Sequence, residues 1–140
     1  RIKRYVDIAD LMLDSYANVA AELQTHLASS DPLDRYWALT TCAAFGSEAA
    51  ALKPTVDSLI SSETSGLVLS RAAVFLGELG EPLSVVQNAV NKALENSNNQ
   101  VECEQVLNDV VHLHDTLGYS FEPQPVRFGG QERRTDYLGW

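Results

Sequence analysis

One face recurs along this chain, and the recurrence limits what it can fold into. Ala72, Phe75, Leu76 and Leu79 fall at i, i+3, i+4 and i+7, one face of an α-helix, and Gly80 follows as a stop. Moved back 34 positions (72 to 38), the set becomes Ala38, Thr41, Cys42 and Phe45, followed by Gly46. Moved forward 34, it becomes Val106, Asp109, Val110 and Leu113, and 33 before Ala38 it becomes Tyr5, Ile8, Ala9 and Met12. The intervening helices keep the same register. Leu52, Val56, Leu59 and Ile60 map onto Val86, Val90, Ala93 and Leu94, and backwards onto Val19, Leu23, His26 and Leu27. Chance does not hold two different helices to one offset. A period of this length means helix pairs, each burying its face only against its neighbours.

The residues between the faces agree with that reading. Asp31-Pro32 reads as N-cap and first helical residue, with Asp34 at the positive end of the helix dipole. Asn99 with Glu102 reads as a capping box, and Gly46 and Gly80 as left-handed helix ends. The spacing predicts helices at about 2–13, 16–28, 32–45, 48–61, 66–79, 82–95 and 100–117. The expected fold is all-α, an α-α superhelix of about seven helices in antiparallel pairs, over residues 1–117. No strand pattern competes, since the apolar run at Gly66 to Leu69 leads straight into a helical face.

Residues 118–140 stand where the partner of the seventh helix would be. Pro123, Pro125, Gly129, Gly130 and Gly139 break helices, while Phe121, Val126, Phe128, Tyr137, Leu138 and Trp140 favour burial. An irregular, extended tail is predicted, either capping the last helix or docking on another domain or subunit.

Charge and composition exclude several classes. The net charge is −9, and the basic residues gather at the ends (Arg1, Lys3, Arg4, then Arg127, Arg133, Arg134). A surface that tracks phosphates needs clustered Lys and Arg, so no nucleic acid is expected. No uncharged apolar run is long enough for a membrane span. The apolar share of 45% is that of an ordinary folded domain. The start at Arg1 reads as a domain cut from a longer protein. Cys42 lies on an apolar helical face and reads as a reduced, structural thiol; neither it nor Cys103 has ligand spacing.

Residue patterns that carry chemistry are few. The carboxylates, among them Asp7, Asp57, Glu63 and Glu78, mostly fall off the apolar faces, the pattern of a solvated surface rather than of an acid–base pair. His112 and His114 are two apart and point about 200° apart on a helix, so they cannot clamp one ion. His26 occupies an apolar repeat position and reads as a structural imidazole. No GxSxG, phosphate loop or EF-hand loop occurs. Neither catalytic residues nor a cofactor or metal site is expected. Asp109 falls on an apolar face, where a lone carboxylate is costly, and is expected near the edge of its helix, paired with a tail arginine such as Arg127. In Asp34-Arg35-Tyr36-Trp37, the arginine is expected to bridge to an acidic residue of a neighbouring repeat. One of Tyr36 and Trp37 is expected to pack between repeats and the other to lie nearer the surface. With Phe128, Tyr137 and Trp140, these two aromatics form the candidate interaction surface.

The pattern Asp31-Pro32-x-x-Arg35-x-x-Ala38, the stop at Gly46 and the following Ala, Leu and Pro resemble a HEAT-type repeat. Arg71-Ala72-Ala73-x-x-Leu76-Gly77-x-Leu79-Gly80 is a second copy, with its arginine shifted. The stretch Asp31-Pro32-Leu33-Asp34-Arg35-Tyr36-Trp37-Ala38-Leu39, preceded by Ile8-Ala9-Asp10-Leu11, resembles the helical repeat region that follows the catalytic domain in some bacterial sulfatases. The third unit has Glu102-Cys103-Glu104 where arginine is usual. The resemblance implies a non-catalytic C-terminal module of an exported hydrolase, periplasmic or secreted, that uses a formylglycine from a C/S-x-P-x-R motif and binds calcium. No such motif occurs here, and no catalytic residue carries over. The implied partner is the catalytic domain of the same parent chain or another protein. A stand-alone HEAT-type interaction scaffold is the alternative.

Overall fold

Helix caps set the element boundaries. Asp31 Oδ1 accepts the Leu33 N–H at 2.9 Å, with Pro32 as the first residue of its helix. Asn99 Oδ1 accepts the Glu102 N–H at 3.0 Å, and Glu102 reaches back to the Asn98 N–H at 2.7 Å, one residue before the position a capping box uses. Gly80, at φ +75°, ends its helix with paired bonds from its own N–H to the Gly77 oxygen and from the Glu81 N–H to the Leu76 oxygen. That is the Schellman pattern, and it needs a residue free to adopt positive φ.

The computed structural model describes residues 2–122 in full and the backbone alone of residues 124–128 and 131–135. The described helices are α1 (Ile2–Asp10), α2 (Tyr16–Leu27), α3 (Pro32–Phe45), α4 (Lys53–Ser62), α5 (Gly66–Glu78), α6 (Leu83–Glu95) and α7 (Gln100–Asp115). Most residues of the predicted faces are buried, while His26, Phe45, Leu59, Ile60, Leu79 and Asp109 are half-buried. Ala38, Thr41, Cys42, Ala72, Phe75, Leu76, Val106, Val110 and Leu113 are buried, as are Val19, Leu23, Leu27, Val56, Val86, Val90, Ala93 and Leu94.

The helices pack together around two apolar clusters. α3 contacts α1, α2 and α5, and α5 contacts α3, α4, α6 and α7. α5 supplies both clusters: Val68, Ala72 and Phe75 face the N-terminal one, while Leu69, Ala73 and Leu76 face the C-terminal one. Close approach is possible at Gly66, where an added Cβ would lie 2.6 Å from the Ala93 carbonyl oxygen.

The structure corrects the prediction in several places. α1 stops at Asp10 and continues as a 3-10 turn over Leu11–Leu13, which leaves Met12 exposed rather than on the buried face. The helix expected from residue 48 begins at Lys53, after a 3-10 stretch over Gly46–Leu52. Pro54 lacks the N–H that would bond back into that stretch and is tolerated only in the first turn. The tail is not wholly irregular. Gln124–Phe128 (β1) and Gln131–Thr135 (β2) form a two-stranded antiparallel ladder pairing Val126 with Arg133, and β1 lies against α6. Gly129-Gly130, between the strands in sequence, is a hairpin signal.

In urea unfolding, Leu76→Ala should lower stability by about 2–5 kcal/mol, as buried leucine truncations do. Glu95→Ala, on an exposed position, should stay within about 0.5 kcal/mol. Equal losses would mean that the buried face is wrongly assigned. Gly66→Ala should also destabilise, because the atom its methyl meets is backbone that cannot step aside.

Candidate interaction face

The Asp31 cap starts α3 so that four successive side chains meet two different neighbours. Asp34 is fully buried; it accepts Ser29 Oγ at 2.7 Å and the Arg4 guanidinium of α1. Its Oδ1 is buried with no hydrogen-bond partner among the described residues. Arg35 bridges to an acidic residue, Glu63, in the segment between α4 and α5. Its Nε donates to Glu63 Oε2 at 2.7 Å and its Nη2 to Glu63 Oε1 at 2.9 Å, while Nη1 donates to the Ser29 carbonyl oxygen at 2.8 Å. Glu63 Oε1 also accepts the backbone N–H groups of Thr64 and Ser65, just ahead of α5. Glu63 is therefore buried, an exception to the expectation that the carboxylates are solvated.

A cleft of about 410 Å³ lies beside this pair, lined by Ser29, Thr55, Ser58 and Ser62. The Arg35–Glu63 charges on its wall are committed to each other.

Tyr36 and Trp37 are both half-buried, meet edge to face at 5.1 Å, and rest against the N-terminal cluster. Arg71 of α5 lies over the Tyr36 ring, 5.0 Å from its centroid, and its Nη2 donates to the Tyr36 hydroxyl at 2.9 Å. Asp109 of α7 completes the row. It accepts Ser70 Oγ at 2.6 Å, and Arg71 Nε stands 3.7 Å away. Asp109 thus finds partners on α5; the side chain of Arg127, the partner expected from the sequence, lies outside the described residues. The Tyr36–Arg71–Asp109 row joins α3, α5 and α7, and sequence reasoning missed Ser70 and Arg71 as its members. The backbone of Phe128 belongs to β1, with its side chain outside the description, and Tyr137 and Trp140 lie outside the described residues.

His112 and His114 take separate partners, Glu78 at 3.2 Å and Asp115 at 2.8 Å. Among the described residues no group of three His, Cys, Asp or Glu side chains is placed to hold a metal ion, and no helix is long and apolar enough to cross a membrane. At the start of the tail, the Tyr119 hydroxyl donates to the Glu81 carbonyl oxygen at 2.5 Å, and Tyr119 and Phe121 pack on the C-terminal cluster. No family model, curated protein or solved structure matches the chain.

Burial pushes the Cys42 thiol from an ordinary 9.0 up to about 12. Below pH 9 both folded and unfolded chains keep that proton. Above it the unfolded chain ionises first, so stability should fall as pH rises from about 9 to about 12. Urea midpoints across that range should flatten in Cys42→Ala, leaving the same-signed effect of Tyr16 and Tyr119, whose phenols burial also raises. Identical pH profiles for the two proteins would contradict this.

Proposed function

We propose that this chain is a non-catalytic helical-repeat module of the HEAT type, an α-α superhelix of antiparallel pairs. It serves protein contact or structural support, as the C-terminal region of a sulfatase-like hydrolase. One observation carries the repeat reading: α1, α3, α5 and α7 pack each on the next through residues separated by nearly the sequence period. The Thr41 hydroxyl meets the Ile8 carbonyl oxygen 33 residues back, and Tyr36 meets Arg71 35 residues on. Gly77 lies against Leu113, whose Cδ2 would be 2.5 Å from an added Cβ. Stacks of this kind offer extended faces to partners. The half-buried Tyr36 and Trp37, the Arg71 row and the exposed Leu33 beside them have the aromatic and arginine content of contact surfaces. The sulfatase context is supported by the Arg35-Tyr36-Trp37-Ala38 cluster in the sequence.

The context is tested at the gene. An in-phase upstream frame encoding C/S-x-P-x-R supports a sulfatase parent, and a frame without it contradicts that part of the proposal. The contact role is tested by Leu33→Glu, which changes the rim of the face and spares the buried row. It should leave thermal unfolding nearly unchanged and weaken binding of the parent's catalytic domain, or of a protein that co-purifies with the full chain, by about tenfold, ~1.4 kcal/mol. Unchanged binding in both Leu33→Glu and Arg71→Gln would contradict the assignment of this face.

A further inference from the structure

Three helices of the odd row end alike, and the chain then turns back. α3, α5 and α7 are each followed shortly by a glycine at positive φ, Gly46, Gly80 and Gly118. After the first two, the chain returns in helical form, as α4 and as α6. After Gly118 a helix is disfavoured, because Pro123 and Pro125 each bias the residue before them away from the helical region. The chain returns instead as the non-helical residues 119–122.

Those residues lie across the elbow between α5 and α6. The Tyr119 hydroxyl bond to the Glu81 carbonyl oxygen anchors one end in that elbow. The same ring passes Gly77, where an added Cβ would come 3.3 Å from its edge. Gln87 of α6 is buried and anchors the other end, its Nε2 donating to the Glu122 carbonyl oxygen at 2.5 Å. Between the anchors the side chains alternate. Tyr119 and Phe121 are half-buried, stacked 6.2 Å apart at 25° and packed on the C-terminal cluster, while Ser120 and Glu122 are exposed. The last unit of a helical stack needs a covering layer with a polar outer surface, and this alternation supplies one. Of the two roles expected for the tail, these contacts support closure over the chain's own helices rather than docking elsewhere.

We propose that residues 119–122 are a closing strap. They stand in for an eighth helix beside α6, cover the C-terminal cluster at the α5–α6 elbow, and open as a unit while α5, α6 and α7 stay folded. A segment anchored at its two ends, with no helix of its own, opens at a lower free energy than the packed helices beneath it. Its place as the substitute for an eighth helix rests on the helical-repeat reading above; its contacts do not.

Dye binding and amide hydrogen exchange on the full chain test this. Tyr119→Ala combined with Phe121→Ala should raise the fluorescence of the hydrophobic dye ANS several-fold. The same variant should speed exchange in α6 and at the end of α7 by about tenfold, with α2, α3 and the far-UV helical signal as in the parent. Tyr119→Phe keeps the ring and loses the bond to Glu81, and should show a smaller effect of the same kind. Gln87→Ala releases the other end and should act likewise, whereas Ser120→Ala, on the outer side, should change neither readout. Unchanged dye binding and exchange in the double variant would overturn the proposal, since the strap would then cover nothing. Loss of the helical signal, or faster exchange in every helix even in Tyr119→Phe, would overturn it too, because the segment would then belong to one cooperative core. Either result, with Leu76→Ala still destabilised as a buried truncation, removes the strap and leaves the repeat reading standing.

Discussion

The bidentate pair between Arg35 and Glu63 is the joint on which the helix row depends. Two parallel N–H···O bonds fix a guanidinium on α3 to a carboxylate in the segment that leads into α5. The same carboxylate takes the backbone N–H groups of Thr64 and Ser65, and Ser65 then caps α5 by accepting the Val68 N–H. One buried ion pair therefore sets both the spacing of α3 and α5 and the start of α5. Its charges are satisfied from several directions, which offsets the cost of taking them out of water.

Fixing α5 matters because it is the helix that both apolar clusters share. Phe75 and Ala72 reach the N-terminal cluster and Leu76 and Ala73 the C-terminal one. A small roll of α5 would open both. The Tyr36–Arg71–Asp109 row lies across the same three helices, so the candidate contact surface inherits its shape from the joint. Surface pairs such as Lys3–Asp7 and Lys53–Asp57, exposed and spaced i,i+4, contribute far less to this arrangement.

Much of this was legible in the sequence, because the repeat encodes burial directly. A residue such as Leu76 is buried for the same reason as Cys42 and Val110, its equivalents 34 residues to either side: it occupies a face that packs on a neighbouring helix. The Arg35 bridge was legible in kind, from an arginine at the start of a helix, but its partner was not, since Glu63 is a single carboxylate in an otherwise uncharged Ser-Ser-Glu-Thr-Ser linker. The misses have local causes. Pro54 delays α4 because one N–H is missing, which face-matching does not register. Met12 sits on the right face of a helix that has already ended. The β1–β2 ladder was hidden because two prolines and a run of charged residues mask a glycine-pair hairpin. Asp109 was placed on its face without its α5 partners, since whether Ser70 and Arg71 reach it depends on how α5 and α7 are rolled about their axes.

The coupling between Arg35 and Glu63 is the most direct measure of this joint. A double-mutant cycle of Arg35→Ala and Glu63→Ala, read by urea unfolding, isolates their interaction from what each contributes alone. The joint predicts a coupling of about 1–3 kcal/mol, several times that of an exposed i,i+4 pair such as Lys53–Asp57, for which about 0.3–0.5 kcal/mol is usual. A coupling no larger than that of the surface pair would contradict it, and the row of helices would then be held by apolar packing alone.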